Sequence, residues 1–184
     1  MNYTEKIQEK IFLSRLNSFD TEVFIEIYNF YVNRIYRFVY LRVKSREDAE
    51  DLSSEVFMKT WQYVYKKENR IAYLNAFLYQ IARNLITDYF RKLKDDVSID
   101  EDGAQEVVDT KQMSFHEKFD TDVKYSEVEK ALENLKDEYR EVIILSYIED
   151  LSSSEISKIM NRSKGAVRIL IHRAMKDLKK NLTP

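Results

Sequence analysis

SSSEISKIMNRSKGAVRILIHRAMKDLKK, residues 152–180, is the stretch that decides the fold. Ser152 and Glu155 form a capping box ahead of Ile156, Ile159 and Met160, so a helix opens there. Asn161, Arg162 and Ser163 interrupt it. The Ser163 hydroxyl then caps a second helix, whose apolar stripe is Val167, Leu170, Ile171, Ala174 and Leu178. A short capped helix, a three-residue turn and a longer basic helix make a helix-turn-helix. Gly165, Arg168, Ile169, His172 and Lys176 share the face opposite the stripe. Cations also suit a helix C-terminus on dipole grounds alone. Behind a capped helix and a short turn, however, a basic face is the arrangement that enters a major groove. Arg168 is the best base reader there, because its fork can pair with a guanine edge, and His172 lies one turn further along. Lys164, Arg173 and Lys176 are better placed for phosphates. Gly165, in the first turn, lets the free amides of the helix end come close to a phosphate or a packed backbone.

The rest of the chain is helical too. Among 184 residues there are two Gly and one Pro, the terminal Pro184, while aromatics make up 13%. So few breakers predict an all-α protein. Phe24, Ile27, Tyr28, Tyr31, Ile35, Phe38 and Val39 mark a long helix. A second opens at Ser45 and buries Ala49, Leu52, Val56, Phe57 and Trp61. A third carries Leu74, Leu78, Ile81, Leu85 and Tyr89, widened by Phe77 and Ala82. A short N-terminal helix is expected through Ile7, Ile11 and Leu16. Towards the other end, Ser126 with Glu129 predicts a capped short helix. A longer one is expected through Tyr139, Val142, Ile143, Leu145 and Tyr147.

The net charge of −2 hides an uneven distribution. Residues 1–94 carry 16 Lys and Arg against 12 Asp and Glu, residues 95–122 carry 2 against 10, and residues 123–184 carry 12 against 10. Within 158–180, eight cations face the single acid Asp177. The acidic stretch has no sustained period and contains Gly103, so it reads as a flexible linker. The expected organisation is a helical domain over 1–94, an acidic linker over 95–122 and a helix-turn-helix domain over 123–184.

Several function classes are excluded or weakened. With no Cys, there is no disulfide framework or thiolate metal site. The two histidines, His116 and His172, are isolated, and no phosphate-gripping glycine loop is present, so neither a metal, a cofactor nor an enzyme such as a nuclease is expected. The charged N-terminus lacks a signal-peptide core, and runs such as Val142–Leu145 are too short to span a bilayer, which points to a cytosolic protein. On the second helix, Asp48, Asp51 and Glu55 lie along one side, with Glu50 nearby. They form either a solvated acidic face or one that docks a partner. Residues 75–94 interleave Phe77, Tyr79, Tyr89 and Phe90 with Arg83, Asn84, Arg91, Lys92 and Lys94. That composition suits single-strand binding as well as core packing.

DAEDLSSEVFMKTW (48–61), AFLYQIARNLITDYFRK (76–92) and ALENLKDEYREVIILSYIEDLSSSEISKIMNRSKGAVRILIHRAMKDL (131–178) stand in that order across the acidic linker. In this the chain resembles the extracytoplasmic-function group of bacterial RNA polymerase sigma factors, over about 20–94 and 125–181. The resemblance implies a dissociable polymerase subunit. It assigns Asp48, Asp51 and Glu55 to docking on the clamp helices of the largest subunit, with Phe57 and Trp61 in the core. It assigns Arg83, Asn84, Asp88 and Arg91, with the loop 66–75, to the melted −10 element of the promoter. The helix starting at Lys164 would read the −35 element through Gly165, Arg168, His172, Arg173 and Lys176. The apolar helices before it would contact the flap of the second large subunit, the linker would thread the polymerase cleft, and an anti-sigma factor is a further partner of many relatives. Ala166 stands where the family often has Thr, Ile169 and Leu170 where it often has polar and basic residues, and Lys136 where it often has Pro. The competing reading is an autonomous helix-turn-helix regulator that binds duplex DNA without polymerase, which would need neither the acidic helix nor the aromatic block.

Overall fold

Four helices build the first half of the molecule. The computed structural model describes residues 3–18, 20, 22–66, 70–97 and 130–182. Helix α1 is Tyr3–Asn17, α2 Val23–Val43, α3 Arg46–Tyr65 and α4 Leu74–Val97. The three/four spacing of α2 places Val23, Ile27, Tyr31, Ile35, Phe38 and Val39 wholly inside. Rings interlock edge to face across this core: Tyr28 on Phe57 at 4.8 Å, Phe24 on Trp61 at 5.0 Å and Phe38 on Tyr79 at 5.2 Å. Helix α2 stops at Lys44, which turns left-handed at φ 63° and donates its N–H to the Tyr40 carbonyl. Ser45 then caps α3 by accepting from the Asp48 N–H at 3.2 Å.

Helix α1 corrects one expectation. Phe12 and Leu16 face the core, whereas Ile7 and Ile11 are 43% and 45% exposed. Its polar side is used as well, because the Glu9 carboxylate accepts the Asn75 N–H at 2.8 Å and satisfies a free amide at the start of α4.

The second half comprises a short helical piece at 130–133, α5 (Asp137–Ile143), a π-turn (Ile144–Ile148), α6 (Ser153–Ile159) and α7 (Lys164–Leu182). Val142, Ile144, Leu145, Ile156, Ile159, Val167 and Ala174 form its core. The single long helix expected through Tyr147 runs on to Ile148, but its last turn is widened into a π-turn. There the Glu149 N–H reaches back five residues to the Ile144 carbonyl, and the Leu151 N–H reaches Leu145. The wider turn rotates Tyr147 to 57% exposure and swings Glu149 inside. The cap expected at Ser126 lies outside the described residues, as does most of the acidic linker, while the helix it would open is seen at 130–133 with Leu132 buried. Among the described residues there is no strand, and no helix is long and apolar enough to cross a membrane.

Both caps of the helix-turn-helix form. Ser152 accepts the Glu155 N–H while the Glu155 carboxylate accepts the Ser152 N–H at 2.8 Å, and Ser163 accepts the Ala166 N–H at 3.2 Å. Ser152→Ala removes one half of the capping box and lowers stability by about 1 kcal/mol, measurable as a drop in the thermal midpoint. An unchanged midpoint would show that solvent satisfies those amides equally well.

Candidate nucleic-acid interface

Helix α7 is anchored by Val167, Leu170 and Ala174, each less than a tenth exposed. Lys164, Gly165, Arg168, His172, Arg173 and Lys176 all lie on its exposed face. Leu170, which stands where the resembling family often has a polar residue, is a core residue here. A Cβ built on Gly165 meets nothing within 4 Å. Among the described residues no packed backbone therefore requires the glycine. Arg173 and Ile169 border a shallow groove against α5, together with Glu138, Tyr139 and Arg162. Arg162 pairs with Glu138 across it, which fixes the turn against α5.

The acidic helix α3 presents its three expected docking carboxylates unequally. Asp51 is exposed, and Glu55 pairs with Lys59 one turn on at 3.1 Å. Asp48 is half-buried and accepts the Tyr89 hydroxyl at 2.9 Å, so it ties α3 to α4. Burial first, and that hydrogen bond second, push the Tyr89 phenol up to about 12. Met58 and Tyr65, 55% and 68% exposed, continue the stripe of Asp51 and Glu55 at helical spacing.

On α4, Asn84 is exposed, and Asp88 and Arg91 pair with each other at the surface at 3.1 Å. Arg83 differs, since its Nε donates to Glu141 on α5 at 2.6 Å. That contact belongs to a network joining the two halves. Arg37 grips Glu149 with two bonds of 2.7 and 3.0 Å, and Tyr79 donates to the same carboxylate at 2.9 Å. Arg34 stands 3.6 Å away, and Arg42 donates to Asp137 at 2.9 Å. Glu149 is wholly buried, and Glu141 and Arg42 are each 3% exposed. Burial outweighs the neighbouring Arg42 and Arg83 guanidiniums and raises the Glu141 carboxyl above the usual carboxylate range. Residue-by-residue reading did not foresee this network. The signal available was Arg42, which falls at helical spacing within the apolar stripe of α2 itself.

Comparison with known proteins agrees with this geometry. Residues 27–95 match the family model described as Sigma-70 region 2, and residues 125–178 match that of Sigma-70, region 4. Over 158 residues the chain is 32% identical to the ECF RNA polymerase sigma factor SigM of Bacillus subtilis, covering 84% of this chain and 91% of that protein. It is 30% identical over 174 residues to SigW of the same organism, covering 89% and 90%. In fold it is similar to the sigma factor RpoE solved with the anti-sigma factor NepR from Bartonella quintana, with a TM-score of 0.69 at 23% identity over 86% of this chain and 96% of that one.

Proposed function

The chain belongs to the extracytoplasmic-function group of the sigma-70 family, and from that premise we propose how its parts divide the work. A sigma factor binds core RNA polymerase, directs it to promoters by reading −10 and −35 elements, and assists melting, without an enzymatic activity of its own. The observation that carries the division is the face of α7. Six polar or small residues stand exposed together there on a helix whose other side is locked into the core.

In this reading α7 enters the major groove at the −35 element, with Arg168 on a base edge, His172 beyond it, and Lys164, Arg173 and Lys176 on phosphates. Gly165 lets the N-terminal amides approach the backbone. Arg83, Asn84, Asp88 and Arg91 on α4 meet the non-template strand at −10, where specific contacts offset the few kcal/mol that extruding a base costs. Asp48, Asp51 and Glu55 mark the face that docks on the clamp helices of the largest subunit, Asp48 by holding α3 in place. The apolar helices before α7 meet the flap of the second large subunit, and the acidic linker runs between the two domains. The factor acts in the cytoplasm, where its polymerase is, and an anti-sigma factor is a fitting partner, as for the Bartonella protein.

Reconstituted transcription with core polymerase over a randomised promoter library tests the reading. Selected promoters should share two elements and require both core and factor. An autonomous regulator would instead retain duplex DNA equally well without core. For docking, Asp51→Lys combined with Glu55→Lys should weaken core binding at least about tenfold, because like charges would then be set against a basic partner. Unchanged affinity in a pull-down would leave this face merely solvated.

A further inference from the structure

Helix α1 lies ahead of residues 27–95, the part that matches region 2, yet it is firmly held. Glu5 and Glu9 continue the line of Phe12 and Leu16, at intervals of four, three and four residues. The apolar end of that line is fixed. Phe12 and Leu16 are buried, and the Phe12 ring meets Phe30 of α2 edge to face at 5.6 Å. Arg15 closes the turn into α2 by pairing with Asp20 at 2.7 Å and with Glu26 at 2.6 Å. At the other end Glu5 stands 3.5 Å from Arg34. Glu9, between these anchors, is carried to the first turn of α4, where its carboxylate accepts the Asn75 N–H at 2.8 Å.

That contact replaces a cap that α4 does not make for itself. The Phe77 N–H donates to the Tyr73 carbonyl at 3.0 Å, which puts Tyr73 at the cap position and Asn75 second in the helix. The amides two and three residues past the cap are those that a Ser, Thr, Asp or Asn side chain would take. A tyrosine there cannot, because its hydroxyl lies at the far end of a rigid ring. Asn75 is 2% exposed, so water has little access to its amide, and a buried donor without an acceptor is costly. A carboxylate at this end also suits the dipole of a 24-residue helix. Ile71, Leu74 and Ala76, all buried, lock the same junction from its apolar side.

We propose that Glu9 is a positioning residue for reading the −10 element. By capping α4 from another helix it fixes the direction in which the preceding loop leaves, and with it the bases that this loop meets. The cap stands on the geometry, whereas what the loop meets rests on the sigma-factor reading. Asn84 lies nine positions beyond Asn75, so the effect falls on the loop's bases rather than along the whole of α4.

Three substitutions in the full-length factor separate the hydrogen bond from the charge. Glu9→Ala removes both, Glu9→Asp keeps the charge but draws it back by one methylene, and Glu9→Gln keeps an acceptor at the same reach. Glu9 is half-buried, so none of them opens a large cavity. Amide hydrogen exchange of the free factor, followed by NMR, reads the cap itself. Asn75 should exchange about fivefold faster or more in the Ala and Asp variants, the ratio that a lost cap of about 1 kcal/mol gives. In the Gln variant its rate should stay close to that of the parent. Reconstituted transcription over the randomised promoter library reads the consequence. The Ala and Asp variants should lose about fivefold of the preference at −10 positions, with −35 preference and core affinity unchanged, and Gln should restore it. An Asn75 rate that does not change, or a −10 preference kept while that amide exchanges faster, would overturn the proposal. So would a loss shared equally by −10 and −35, which is what general loosening of the fold produces. A parent that selects no −10 element would instead overturn the sigma-factor reading, and the loop's role with it. The exchange rates would still decide whether Glu9 caps α4.

Discussion

Arg168→Ala should relax discrimination at one −35 base pair by about 1–3 kcal/mol, roughly 5- to 150-fold between the preferred base and its competitors. The side chain is exposed on α7 between the buried Val167 and Leu170, so truncating it leaves no cavity and does not unseat the helix. The loss therefore measures recognition rather than folding. Lys176, two turns further along the same helix and equally exposed, provides the contrast. Removing it should weaken all sequences alike and lower the dependence of binding on salt by about one counterion. Transcription by the reconstituted enzyme from promoters varied at each −35 position separates the two behaviours. An unchanged sequence preference for the Arg168 variant would remove this residue from base reading.

Phe38→Ala should cost about 3–5 kcal/mol of stability, read as a lower denaturant midpoint in urea. Phe38 is wholly buried, packs edge-on against Tyr79 and lies beneath the Arg42 guanidinium at 5.9 Å. Its removal opens a cavity and loosens two groups that reach the second domain, since Tyr79 holds Glu149 and Arg42 holds Asp137. The expected cost is a large fraction of what a domain of this size possesses. A loss below about 1 kcal/mol would mean that the surrounding helices collapse into the space.

Local signals made much of this molecule legible in its sequence. The caps at Ser45, Ser152 and Ser163 each accept the amide three residues on, as expected from side chains that compete for free helix-end donors. The stripes of α2 and α7 face the core, with Phe24, Tyr28, Ile171 and Leu178 half-buried at their margins, because the 3.6-residue period leaves them one side to face. Leu16 is buried as expected, but Ile7 and Ile11 misled because Phe12 takes the inward side with it, and which side wins depends on a partner surface that α1 alone does not encode. Trp61 remains half-buried for a related reason: Phe24 covers one side of it and Tyr65 stacks on it at the rim. The pairing of the two domains was the least legible part. Arg37 and Glu149 are 112 positions apart, Arg83 and Glu141 58. A pairing over such distances leaves no period to read, and buried carboxylates look like solvated ones until their partners are in place. The clue that did exist, an arginine within an apolar stripe, points to a covering surface without naming it.

The π-turn at Ile144–Ile148 gives that covering surface a particular kind of encoding. Closing a hydrogen bond over five residues instead of four accommodates one residue more than an α-helical turn does. That surplus residue sets the direction in which Glu149 points. Deleting one residue there would restore the regular helix and shift each following position by about 100° around the axis, carrying the carboxylate away from Arg37 and Tyr79 without altering its chemistry. Whether the two domains hold each other is therefore written partly in the length of the chain. A relative could retain every arginine and glutamate of the network and still remain open for want of a single residue.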